Sequence, residues 1–208
     1  MDSYFAYLLV SITAIVSPGA GVILTLTNSL NFGLKTSIYG IFGISLGMFI
    51  VSIIAGGGIG VVIANSNSLY FALKILGAIY LLYFGLSLIK TRNKTIDVVS
   101  SKTSPKQKKL FVEGVSITIT NPKAIIFFVS LFPQFIDSEA NYLSQFTLLS
   151  LTFCFLILLI HIIYGTLASF IKSKLARFNY FKYVHIAGGC AYIIFALKLL
   201  DLHNWAAN

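Results

Sequence analysis

Six long apolar runs occupy most of this 208-residue chain, at residues 4–27, 37–63, 69–89, 110–132, 145–171 and 184–201. A helix crosses a bilayer in about 20 mostly apolar residues, so each run has the length of one crossing. In hydrocarbon every backbone amide and carbonyl needs a partner, which a helix supplies within its own segment. The chain therefore reads as an all-α integral membrane protein with six transmembrane helices. Six spans take up most of the chain and leave only short connections and ends, with no room for a soluble domain of ordinary size, about 100 residues. Composition agrees: 57% hydrophobic, only 10% charged and a mean hydropathy of +0.90, too little polar surface for a soluble globule.

The net charge of +9 would suit a nucleic-acid partner if it formed one patch, but its distribution speaks for topology instead. Lys90, Arg92, Lys94, Lys102, Lys106, Lys108 and Lys109 fall in the third connection, Lys172, Lys174, Arg177 and Lys182 in the fifth, and Lys35 in the first. The even-numbered connections hold no Lys or Arg, and the fourth carries Asp137 and Glu139. The positive-inside rule then puts the odd connections in the cytoplasm and both termini outside it. Residues 90–109, rich in Lys, Ser and Thr, form a basic linker suited to anionic lipid headgroups. No nucleic-acid partner is expected. The first run lacks a basic leader and exceeds a signal-peptide core, so it is expected to stay as a helix.

Two of the six runs are interrupted. In the fourth, Thr120, Asn121, Pro122 and Lys123 fall halfway along an otherwise apolar stretch that stops at Pro133, Gln134 and Phe135. Pro122 has no amide hydrogen and its ring clashes with the carbonyl four residues back, so the hydrogen-bond ladder opens. The first run holds Ser17-Pro18-Gly19-Ala20-Gly21, followed by Asn28. A kink satisfied by neighbouring helices explains either break, but broken helices near the midplane also mark transporter binding sites. Pro18, Gly19, Asn28, Asn121, Pro122 and Lys123 are accordingly the candidate substrate-binding residues.

The remaining polar positions are few. Gly43 and Gly47 share a face of the second helix and suit close helix packing. Cys154 and Cys190, on different helices, read as small buried hydrophobes before they read as a redox pair. His161 is an ionisable group within the fifth run, either a proton carrier or a neutral imidazole bonded to a neighbour. Glu113 is an acid inside an apolar span, in the pathway or at the cytoplasmic headgroups beside Lys108 and Lys109.

The two halves repeat each other. Leu76-Gly77-Ala78-Ile79-Tyr80 recurs as Gly188-Gly189-Cys190-Ala191-Tyr192, placing Gly77 over Gly189 and Tyr80 over Tyr192 as packing positions. Pro18-Gly19-Ala20 answers Pro122-Lys123-Ala124. Three helices per half is an odd number, so the copies 1–89 and 110–208 enter the membrane from opposite sides as inverted repeats of a single transmembrane domain, 1–208. The ends of half-helices at such an interface offer amides to a carboxylate and carbonyls to an ammonium group.

These motifs resemble the LysE/RhtB family of amino-acid exporters, six-helix proteins of bacterial membranes, over nearly the whole chain. The resemblance is carried by Asn121-Pro122-Lys123-Ala124 with Phe127, Phe128 and Pro133-Gln134-Phe135. Ser17-Pro18-Gly19, Gly33, Gly40, Gly43, Gly47, Lys74, Gly77, Tyr80 and Gly85 support it. It implies a secondary transporter in the inner membrane that exports amino acids in exchange for protons, with no enzymatic step, no cofactor and no bound metal. Where the family usually has a second proline and an acidic residue, this chain has Ala20 and Met48, which leaves His161 and Glu113 as the proton-coupling candidates. A pocket without an acid favours a neutral amino acid.

Two other readings fit the architecture: an ion or metal efflux protein, though the spans hold no His, Asp or Glu cluster at ligand spacing, and a membrane thiol-disulfide carrier, whose cysteines would have to sit at the helix breaks. A homodimer is compatible with the glycine faces.

Overall fold

The computed structural model describes residues 2–17, 19–65, 67–90, 105–137, 139–170 and 180–200, and the described residues form helices and short connections with no strand among them. The helices are α1 Asp2–Val16, α2 Ala20–Phe32, α3 Leu34–Asn65, α4 Asn67–Lys90, α5 Gln107–Ile119, α6 Pro122–Phe135, α7 Tyr142–Phe170 and α8 Tyr180–Leu200. Among the described residues there are eight rather than six because two apolar runs are each divided, the first into α1 and α2 and the fourth into α5 and α6. Leu34–Ile59 and Tyr142–Ser169 are long and apolar enough to cross a membrane, and α1 with α2 makes a third such stretch, bent by 55°. This is an all-α membrane protein. Pro18 and most of the basic linker, residues 91–104, lie outside the described residues, and of Pro122 and Lys123 only the backbone is described.

Glycines set how closely the helices approach. A Cβ on Gly43 would collide with the Phe111 carbonyl, and one on Gly47 would sit 2.8 Å from the Thr118 Cβ, so α5 lies directly on the backbone of α3. The α4–α8 pair is built alike: a Cβ on Gly85 would stand 2.8 Å from the Gly189 carbonyl oxygen, and one on Gly189 2.7 Å from that of Gly85. Gly77 admits α6, whose Ser130 carbonyl would be 2.5 Å from an added Cβ. Next to it the Gln134 side-chain amide donates to the Lys74 carbonyl at 2.8 Å. Tyr80 stacks on Phe84, and Tyr192 meets Phe84 edge-on with ring centres 5.2 Å apart.

The pairings also give direction. Phe111 lies at Gly43 and Thr118 at Gly47, so α5 runs parallel to α3. Ser130 at Gly77 and Gln134 at Lys74 make α6 antiparallel to α4. Leu34 and Ile41 beside Gly165, Ser45 bonded to the Cys154 carbonyl and Tyr142 bonded to the Gly56 carbonyl make α7 antiparallel to α3. The core between them is aromatic: Phe128 packs on Phe132 and Phe153 with ring centres 4.8 and 4.9 Å apart, and Phe127 adjoins both Phe128 and Phe153. Cys154 is half-buried, but Cys190 is exposed on α8, so it is not the buried hydrophobe its apolar run suggested; both thiols are free.

Candidate functional site

The first break is a short extended joint. The Ser17 amide closes α1 on the Thr13 carbonyl at 3.1 Å, and Gly19 is fully extended with φ −146° and ψ −174°. The Ile23 amide then opens α2 on the Gly19 carbonyl at 2.9 Å. No side chain caps the N-terminus of α2. Its first-turn amides therefore point out of the helix without the usual oxygen partner, and they carry the positive end of the helix dipole. At the other end, α2 stops at Gly33, whose left-handed φ of 78° lets α3 begin at the next residue.

The second break is tighter. The hydroxyls of Thr118 and Thr120 donate back to the carbonyls of Gly114 and Ser116 at 2.8 and 2.7 Å, and the Asn121 amide reaches the Thr118 carbonyl at 3.2 Å. Pro122 is the first residue of α6. A proline is at home there, since the first helical amide has no partner within the helix anyway. The interruption thus falls at Thr120 and Asn121, just before the proline. Pro122 starts a helix where the sequence suggested that it opens the middle of one.

Both breaks face one cavity of about 100 Å³. Ala14, Ile15 and Ser17 at the end of α1 and Gly19 to Val22 at the start of α2 line it on one side, and Ile117, Thr118, Asn121 and Ala124 on the other. Ile44, Met48, Phe84, Phe127, Phe153, Ile157 and His161 complete the wall. Among the described residues its polar groups are hydroxyls, one carboxamide, one imidazole and backbone, with no carboxylate. Ser17 is 3% exposed and its Oγ has no hydrogen-bond partner. His161 is buried, with Nδ1 2.7 Å from the Thr25 hydroxyl.

Of the residues singled out from sequence, Gly19, Asn121 and His161 meet at this cavity. Asn28 does not line it; it is buried two turns along α2. Glu113 is exposed on α5 and also lies off the cavity wall. Lys123 is placed by its backbone in the first turn of α6, between the lining residues Asn121 and Ala124. Gly43, Gly47, Gly77 and Gly189 lie at helix contacts, and Tyr80 and Tyr192 behind Phe84. Ser17, Thr118, Phe84 and Phe127 were not candidates. Only Ser17 carried a signal, as the polar residue flanking a break. Among the described residues no group of three His, Cys, Asp or Glu side chains comes together as a metal site.

Fold and site together define a helical membrane protein with a small, mostly apolar cavity, carrying a few polar groups, between divided helices. The chain belongs to the LysE type translocator family, whose model matches residues 12–202. It is 31% identical over 201 residues, 97% of both chains, to the homoserine/homoserine lactone efflux protein of Salmonella typhimurium, with the same figures for that of Salmonella typhi. It is also 31% identical over 149 residues, 72% of both chains, to an uncharacterized membrane protein of Vibrio cholerae serotype O1. No solved structure matches it significantly.

Proposed function

We propose that this protein exports small neutral amino acids, homoserine among them, from the bacterial cytoplasm across the inner membrane by proton antiport with alternating access. The observation that carries the reading is the meeting of both helix breaks at one cavity. There the uncapped amides at the start of α2, with the unpartnered Ser17 hydroxyl, suit a carboxylate or a lactone carbonyl. The carbonyls that end α1 and α5, with Asn121, suit the ammonium group that amino acids and their lactones share. Lys123, in the first turn of α6, adds positive charge on the side of the second break. Full-length kinship to proteins named for homoserine and homoserine lactone efflux supports the substrate class.

The six crossings form two inverted three-helix repeats, with both termini outside the cytoplasm. Of the two proton candidates, His161 is the better placed, because it lines the cavity and Glu113 does not. Everted vesicles test this directly: a proton gradient, acid inside, should drive uptake of labelled homoserine, and collapse of the gradient should release it. Vesicles that take up no amino acid, or take it up equally without a gradient, would defeat the reading.

A further inference from the structure

Beyond the cavity, α2 carries a second polar patch. Thr25, Asn28 and Ser29 follow Gly21 at helical spacing and continue the same face toward Gly33. Asn28 is 5% exposed and Ser29 0%, yet Asn28 Nδ2 and Ser29 Oγ have no hydrogen-bond partner. A buried donor left bare is costly, and two on adjacent residues point to a visitor that satisfies them. Glycines of α3 and α7 pack closely on them. A Cβ on Gly40 of α3 would stand 3.4 Å from Asn28 Nδ2, and one on Gly165 of α7 2.9 Å from Ser29 Oγ.

The adjoining groups are already engaged. The Thr25 hydroxyl pairs with His161 Nδ1 at 2.7 Å, and the Ser37 hydroxyl donates to the Thr25 carbonyl at 3.4 Å. His161 also lines the cavity, so the patch adjoins the site without being part of it. A carboxamide nitrogen only donates, and a serine hydroxyl donates readily, so the open pair fits an acceptor; the strongest small one is a carboxylate.

Building on the export reading, we infer that Asn28 and Ser29 form a second station, which holds the substrate's carboxylate between the Gly33 end of α2 and the cavity. Homoserine and its lactone discriminate, because the lactone has its carboxylate closed into a neutral ester that accepts hydrogen bonds more weakly. In everted vesicles carrying the full chain, Asn28→Ala combined with Ser29→Ala should raise the half-saturating concentration for homoserine about tenfold, the size expected for losing hydrogen bonds to a charged group. Lactone uptake should stay within about twofold of the unaltered protein, which also shows that the variant is folded. Gly40→Ala, which crowds Asn28 without removing a polar group, should shift homoserine in the same direction and spare the lactone.

Unchanged homoserine kinetics, or equal weakening of both compounds, would overturn the station while leaving export standing. Unaltered vesicles that take up neither compound would overturn the export reading and the station with it.

Discussion

Ser17, Asn121 and His161 reach the cavity from three different parts of the chain, and the backbone of Lys123 lies next in sequence to the cavity wall at the start of α6. A lysine at the centre of a membrane helix costs about 2.5–3.5 kcal/mol on insertion scales, so its retention argues for a partner other than lipid. Lys123→Leu should remove that cost, leaving membrane insertion intact, and abolish homoserine uptake by everted vesicles. Uptake at the unaltered rate would remove Lys123 from the site. His161→Gln should separate exchange from drive: homoserine counterflow between equal pools persists, while accumulation against its gradient under an imposed proton gradient falls by about tenfold or more. Equal loss of both would give His161 a packing role instead. Asn121 and His161 were legible in the sequence because a polar side chain inside an apolar run is conspicuous. Phe84 and Phe127 were not, since an aromatic lining a cavity looks like any other aromatic in such a run. Glu113 was conspicuous for the same reason as His161, but charge alone does not tell which face of α5 it occupies.

At the scale of elements, the glycines of α3 separate packing from spacing. Gly43 lies on the backbone of α5, whereas Gly57 and Gly58 have nothing within 4 Å of an added Cβ. Gly43→Ala should lower stability by about 1–3 kcal/mol, as overpacking does, and Gly57→Ala should be neutral. Thermal unfolding in detergent, followed by the monodisperse fraction on gel filtration, checks both; a stable Gly43→Ala protein would show that α5 slides freely along α3. The breaks were readable from Pro18-Gly19 and Asn121-Pro122, because proline is the strongest local punctuator of a helix. Their placement was less so. A proline that interrupts a helix and one that begins the next share the same sequence signature, and only the observed start of α6 at Pro122 decides between them. Nor did spacing single out Gly114, whose added Cβ would strike the Gly40 carbonyl, as the counterpart of Gly43.

For the whole molecule, the membrane character was written in the six apolar runs, and the all-helical architecture follows from them. What the runs could not state is which helices touch, because lipid-facing and protein-facing residues in a membrane helix are nearly equally apolar. The pairing of α3 with α5 and of α4 with α8 came from the structure. The proposed topology makes its own prediction. A phosphatase that folds only outside the cytoplasm should be active when fused at either terminus and inactive when inserted in the basic linker; activity at the linker would reverse the orientation.

The joint use of both breaks is tested most directly by substrate protection. With Cys154 and Cys190 replaced by serine, a single cysteine is introduced as Ser17→Cys or as Asn121→Cys and labelled with a small membrane-permeant thiol reagent. Homoserine should slow labelling at both positions, with half-protection at the same concentration. Protection at neither position, or at one only, would contradict a single site shared between the two breaks.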